Sequence, residues 1–174
     1  VADYGEKLSA LRSRQVDLVY EGIGAVLEKL KTRVGLVEME YQRGWRSETY
    51  LESLQGKREF DQERGMTSSG PHRSDIKLLC GGVNARVILS RGEQKAFAAA
   101  MLLTQAELLR KSGQRPVLLF DDLESEFDRD HFNSVLELAI SSGAQVWVTG
   151  TGKPEMKHEG KMFHVEQGSL RELV

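Results

Sequence analysis

One cysteine, Cys80, stands in 174 residues. That scarcity rules out an internal disulfide framework and any zinc cage built on cysteines, and it fits a reducing compartment. No run of apolar residues is long enough to span a membrane. The opening residues, Val1 to Lys7, lack the charged-then-apolar pattern of a targeting segment, so the chain reads as cytoplasmic. They also lack an initiator Met, and the start runs straight into a helical pattern; the expectation is a fragment of a longer protein. The formal net charge is only -2, which gives no global electrostatic reason to expect nucleic acid and leaves room for a local basic patch. With 3 prolines, 40% hydrophobic and 29% charged residues, the composition is that of a folded protein with a real core.

What the chain does have is organised around Val117-Leu118-Leu119-Phe120-Asp121-Asp122. Four apolar residues after Pro116 read as a strand buried on both faces, because such strands are continuously hydrophobic rather than alternating. In open parallel sheets ligands sit beyond the carboxyl ends of strands, where Asp121 and Asp122 fall. Carboxylates there commonly hold Mg²⁺ on a nucleotide, since this ion takes one or two carboxylates plus substrate phosphates. The same six residues also read as an ordinary strand followed by a solvated acidic turn, and on this run alone both readings stand.

From about Asp3 to Arg33, apolar residues from Leu8 to Leu30 recur at helical spacing, predicting one amphipathic helix that Gly22 and Gly24 weaken in its middle. Its plain role is packing; the other reading is one limb of a helical arm. Leu36 to Tyr41 alternates and predicts a half-buried strand. A charged helix from about Ser47 to Glu63 follows. Its basic residues, with Arg43, Arg46, Lys57, Arg58 and Arg64 in or beside it, are ordinarily a wet face, and DNA contact is the second reading. A loop from Gly65 to Gly70 delivers Pro71 to Asp75, with Arg73 in it. Ile76 to Cys80 then reads as a strand with Gly81-Gly82 as its turn. His72 has no second His at metal-ligand spacing.

The longest helix is predicted from Arg91 to Lys111. Ser90 as N-cap and Glu93 three residues on form a capping box, which stabilises by about 1 kcal/mol and needs no ligand. The same geometry, with Gly92 letting the backbone approach closely, also suits an anion. The stretch Phe97 to Leu103 is apolar nearly all round, so the helix is expected to be buried. After the acidic loop at Leu123 to Asp128, a helix marked by Phe132, Val135, Leu136 and Ala139 ends at Gly143. Gln145 to Thr149 reads as another buried strand. Gly150 to Pro154 is a glycine-rich decoy: a P-loop needs G-x-x-x-x-G-K-[ST], and here Trp147 and Pro154 occupy the first glycine and hydroxyl positions. Met162 to Glu166 with Gln167-Gly168 reads as a strand and turn at a sheet edge.

Three pieces now stand in one order: L-S-R-G-E-Q-K at a helix start, V-L-L-F-D-D ending a strand, then S-E-F-D. This order resembles the C-terminal lobe of ABC-type ATPases of the SMC branch, with signature motif, Walker B strand and D-loop. With Y-Q-R-G-W (Tyr41 to Trp45), G-P-H-R-S-D (Gly70 to Asp75) and the tail M-F-H-V-E-Q-G, the finer resemblance is to the RecF family, across essentially the whole chain. It implies an α/β fold, the C-terminal lobe of an ABC/SMC-type ATPase with a mostly parallel sheet flanked by helices. Residues 1–64 are expected as a helical arm segment with one strand, and 65–174 as the ATPase lobe.

The resemblance further implies roles. Asp121 holds Mg²⁺. Asp122, where many relatives have Glu, orients the attacking water. Ser90, Arg91, Gly92 and Glu93 form the signature that meets the γ-phosphate of ATP on the other subunit of a head-to-tail dimer. Ser125 and Asp128 make the D-loop contact, and Thr149 takes the switch position. The expected role is ATP-dependent binding of DNA at single-strand/double-strand junctions, supporting RecA loading with RecO and RecR. Arg43, Arg46, Lys57, Arg58, Arg64 and Arg73 supply a motive for the DNA contact. The Walker A loop is missing from this sequence, so half a site is expected neither to bind ATP tightly nor to hydrolyse it. Two other readings are a non-catalytic dimerisation or partner-binding module and another SMC-like chromosome ATPase. A single arm helix, rather than many heptads, favours the RecF family over the latter.

Overall fold

A computed structural model describes residues 1–151 and 160–173. Part of the glycine-rich decoy, Gly152 to Pro154, lies outside them. Helix α1 (Ala2–Lys29) is continuous through Gly22 and Gly24 and ends a turn earlier than its apolar spacing suggests. Leu30 caps it and Lys31 turns to φ 54. Gly22 is there for packing: a Cβ at that position would come within 2.9 Å of Thr104 Cγ2 on α5 (Arg91–Lys111). Its absence lets the two helices lie close along one another.

Strand β1 (Glu38–Gln42) pairs antiparallel with β2 (Asp75–Cys80), placing Tyr41 opposite Ile76, and β2 pairs with the short β3 (Val83–Asn84). Between β1 and β2 the single charged helix of the sequence reading is two, α2 (Tyr50–Gly56) and α3 (Arg58–Arg64). They break at Lys57, whose φ of -108 is not helical, directly after Gly56. Thr49, not Ser47, caps α2 through a capping box with Glu52. A 3₁₀ turn at Pro71–Arg73 precedes β2. It is fastened to the β1 exit by the Gly70 N–H donating to the Gly44 carbonyl at 3.0 Å. A Cβ on Gly44, which has φ +91, would collide with the Gly70 carbonyl.

One helical turn unmarked in the sequence, α4 (Ala85–Ile88), leads into α5, whose limits are the expected ones. Helix α5 is not buried all round: Ala96, Phe97, Ala100 and Leu103 face the core, while Ala98 and Leu102 are exposed. Strand β4 (Val117–Phe120) pairs in parallel with β5 (Gln145–Val148), with α6 (Leu123–Glu126) and α7 (Arg129–Ser141) in the crossover. This is the expected α/β arrangement, a parallel pair flanked by helices, with the parallel pairing confined to β4 and β5 among the described strands.

Neither strand is buried on both faces. Leu118, Phe120, Val146 and Val148 pack inward, whereas Leu119 is 75% and Trp147 49% exposed. The reason is that helices cover one face only, so the continuous apolar run overstates the burial: among the described residues the second face stays largely exposed. The chain ends in a hairpin of β6 (Met162–Glu166) and β7 (Ser169–Leu173), the second strand being additional to the expected one. Phe163 stacks on Trp147 at a centroid distance of 6.3 Å. One core joins Ile23, Leu30, Val37, Phe97, Leu103, Leu123, Val135 and Leu136, and so runs across the junction between residues 64 and 65.

Candidate nucleotide half-site

The carboxyl end of β4 carries a connected polar cluster. The chain leaves the strand through Asp121 and then adopts a left-handed turn at Asp122, φ 49 and ψ 41, a conformation Asp tolerates better than most side chains. Thr149 and Ser125 hold that turn, and the Ser125 hydroxyl also reaches the Asp122 carbonyl at 2.9 Å. The Asp122 N–H donates to Thr149 Oγ1 at 2.9 Å, its carbonyl accepts from the Ser125 N–H at 3.0 Å, and its Oδ2 lies 2.6 Å from the Ser125 hydroxyl. Buried Leu123 anchors the following turn. Thr149 sits just past β5 because its own N–H continues the parallel ladder to the Phe120 carbonyl at 2.9 Å. Its hydroxyl donates to Asp121 Oδ1 at 2.6 Å. The parallel register therefore brings Asp121, Asp122, Ser125 and Thr149 together.

The second part is the start of α5. Ser90 Oγ accepts from the Glu93 N–H at 3.3 Å, and Glu93 Oε2 takes the Ser90 N–H at 2.8 Å. Glu93 is thus the group that occupies the helix start, and the Ser90 hydroxyl and backbone hold its carboxyl below the usual carboxylate range. Gly92 has open space where a side chain would stand, and Arg91 is exposed beside it. Since the folded pKa of Glu93 is lowered, its contribution is present above the ordinary carboxylate range and lost as pH falls through the lowered value. The protection factor of the Ser90 amide against hydrogen exchange, taken relative to its intrinsic rate at each pH, is expected to fall on acidification, and Glu93→Gln is expected to remove that dependence.

The two parts are linked within the chain: Lys95 on the first turns of α5 meets Glu126 at 2.6 Å. Asp128 is placed differently from the other acids. It caps α7 by accepting from the Asp130 and His131 N–H groups at 3.1 and 3.0 Å, and the His131 ring lies 2.7 Å away. The His131 backbone and ring bonds hold its carboxyl low.

The basic residues divide. Arg43 is half-buried and turned onto its own loop, donating to the Ser47 carbonyl at 2.6 Å and lying over the Trp45 ring at 5.3 Å. Arg64 lies over Phe60 at 4.2 Å. Arg46, Lys57, Arg58 and Arg73 are exposed. Arg12 on α1 was not a sequence candidate. It ties the Gly70 to Asp75 loop down, donating to the Pro71 carbonyl at 2.6 Å and to Ser74 Oγ at 2.7 Å. No local signal marks it, because its partners are 59 and 62 residues away.

The donor set fits Mg²⁺ held jointly with a nucleotide rather than by protein alone. Asp121 and Asp122 each keep one carboxylate oxygen without a hydrogen-bond partner among the described residues. Among those residues no group of three or more His, Cys, Asp or Glu is placed to hold a metal. One or two carboxylates plus phosphate oxygens are what Mg²⁺ ordinarily takes. No described helix is long and apolar enough to cross a membrane.

No protein-family model matches the chain. The DNA replication and repair protein RecF of Stenotrophomonas maltophilia is 36% identical over 177 residues, covering 98% of this chain and 48% of that protein. Its namesakes in Xanthomonas euvesicatoria pv. vesicatoria and Hahella chejuensis are 37% and 31% identical, again over 98% of this chain and 48% and 50% of theirs. A solved structure of the recombination mediator protein RecF-ATP in the RecFOR pathway superposes with a TM-score of 0.75 at 25% identity, over 99% of this chain and 48% of that one. A second, of RecF-ATPrS, gives 0.76 at 24%.

By fold and by sequence the chain is an α/β protein similar to RecF proteins. It spans about half the length of the RecF proteins it matches, consistent with their C-terminal half.

Proposed function

We propose that this chain is the signature and Walker B lobe of an ATP-switched, DNA-binding protein of recombinational repair and replication. The observation that carries the reading is the pair Asp121 and Asp122 beyond the carboxyl end of a parallel strand, each with one oxygen fixed by a hydroxyl and one without a partner among the described residues. Asp121 is the residue that would hold Mg²⁺, and Asp122 the one that would orient the attacking water. When bound, Mg²⁺ neutralises charge on the nucleotide phosphates.

Ser90, Arg91 and Gly92 face the nucleotide of a second subunit in a head-to-tail dimer, with Ser125 and Asp128 at the same boundary. A phosphate approaching the α5 start would be met by the Arg91 and Gly92 amides, since the Glu93 amide is taken by Ser90 Oγ and the Glu93 carboxylate by the Ser90 N–H. The exposed Arg46, Lys57, Arg58 and Arg73 are the DNA-facing candidates, ahead of Arg43 and Arg64, whose side chains lie on their own loop and helix. RecA loading at DNA gaps with RecO and RecR is the role that follows from the RecF likeness.

The uncovered face of β4 and β5 supports the same reading. Val117 and Leu119, beside the Trp147 ring on which Phe163 stacks, are a surface for the half of the molecule that carries Walker A. That face also favours a second reading, a non-catalytic partner-binding module. The experiment that separates them supplies the RecF nucleotide-binding half in trans and measures dimerisation with and without ATP. ATP-dependent dimers are expected, and Ser90→Arg is expected to abolish them while leaving the helical circular dichroism intact. Dimers that form equally well without ATP and with Ser90→Arg decide for the interaction module.

A further inference from the structure

We infer that Thr149 is a positioning residue that locks Asp121 and Asp122 together through one hydroxyl, and not a sensor of the γ-phosphate. The inference rests on the proposed nucleotide site and changes the part Thr149 plays in it. A threonine hydroxyl has one proton to donate and two lone pairs to accept with. Here the proton goes to Asp121 Oδ1 at 2.6 Å. One lone pair takes the Asp122 N–H at 2.9 Å. The remaining lone pair is an acceptor, and the oxygens of an ionised γ-phosphate are acceptors too. Thr149 therefore has nothing to offer a phosphate without releasing Asp121.

What it does offer is geometry. Its backbone is fixed by the parallel ladder to Phe120, so its hydroxyl is a rigid point on β5. From that point it orients one carboxylate directly and pins the left-handed backbone from which the other projects. Groups of this kind, bonded to a metal ligand rather than to the metal, set ligand orientation.

The test uses Thr149→Val, which keeps the shape and removes the hydroxyl, and Thr149→Ser, which restores it. In the complete subunit, Thr149→Val is expected to raise the Mg²⁺ concentration for half-maximal ATP turnover by about tenfold or more. Binding of a fluorescent ATP analogue is expected to stay unchanged, and Thr149→Ser to recover the Mg²⁺ response. In the chain described here, with no nucleotide present, the Asp122 amide is expected to be protected from hydrogen exchange in the wild type and in Thr149→Ser and to lose protection in Thr149→Val. Weakened analogue binding with an unchanged Mg²⁺ response makes Thr149 a phosphate sensor and overturns the inference. Equal exchange of the Asp122 amide in wild type and Thr149→Val overturns it as well. If the wild-type complete subunit hydrolyses no ATP, the functional proposal fails, and the exchange measurement alone decides the lock.

Discussion

Asp122→Asn in the complete subunit is expected to lower ATP turnover by about 10²- to 10⁴-fold, the usual contribution of a positioned general base. ATP-dependent dimerisation is expected to survive. The substitution keeps the shape of the side chain, and its amide oxygen still accepts from the Ser125 hydroxyl 2.6 Å away. What it removes is the negative charge that takes up a proton from water. The left-handed turn at Asp122, held by Thr149 and Ser125, fixes where that short side chain begins. The chain without its nucleotide-binding half is expected to show no turnover, with or without the substitution. The measurement is steady-state phosphate release. A loss of less than about tenfold in the complete subunit takes the base assignment away from Asp122.

The largest expected change in stability is Phe97→Ala. Phe97 is 3% exposed in the core cluster, on the face of α5 that meets the packed elements. Truncating a buried Phe costs about 3–5 kcal/mol, the lost transfer energy plus the cavity left behind. That is a large share of the roughly 5–15 kcal/mol by which folded domains are stable. For a domain of this size the melting temperature is expected to fall by about 6–20 °C, readable by thermal circular dichroism. Because α5 also carries Ser90 at its start, the variant is expected to lose nucleotide-linked dimerisation at temperatures the wild type tolerates. A fall of about 2 °C or less contradicts the assignment of Phe97 to the core.

Both expectations use features that differ in how far the sequence displays them. The limits of α5 are written locally: Ser90 and Glu93 close a box, and Gly113 follows the last turn at φ +83. The acids after β4 are equally local, a hydrophobic run with carboxylates at its end. The burial of β4 is not local, since alternation in exposure at Val117, Leu118, Leu119 and Phe120 depends on what lies over the sheet, not on the four residues themselves. The break at Lys57 is an intermediate case. Gly56 was visible, and its effect was masked by a charge pattern that continues through it. Thr149 stood in view as a candidate, but its bonds to Asp121 and Asp122 span 28 and 27 residues and exist only once β4 and β5 are in register.

The close seating of α1 on α5 at Gly22 gives the molecule mechanical leverage. Helix α1 has 28 residues, about 42 Å of rigid rod at roughly 1.5 Å each. Arg12 lies about 15 Å along that rod from Gly22, so a tilt of about 5° at the Gly22 seat displaces it by about 1 Å. With Arg12 clamping the same rod to the Pro71 to Ser74 turn, a shift of α1 against α5 is carried directly to that turn.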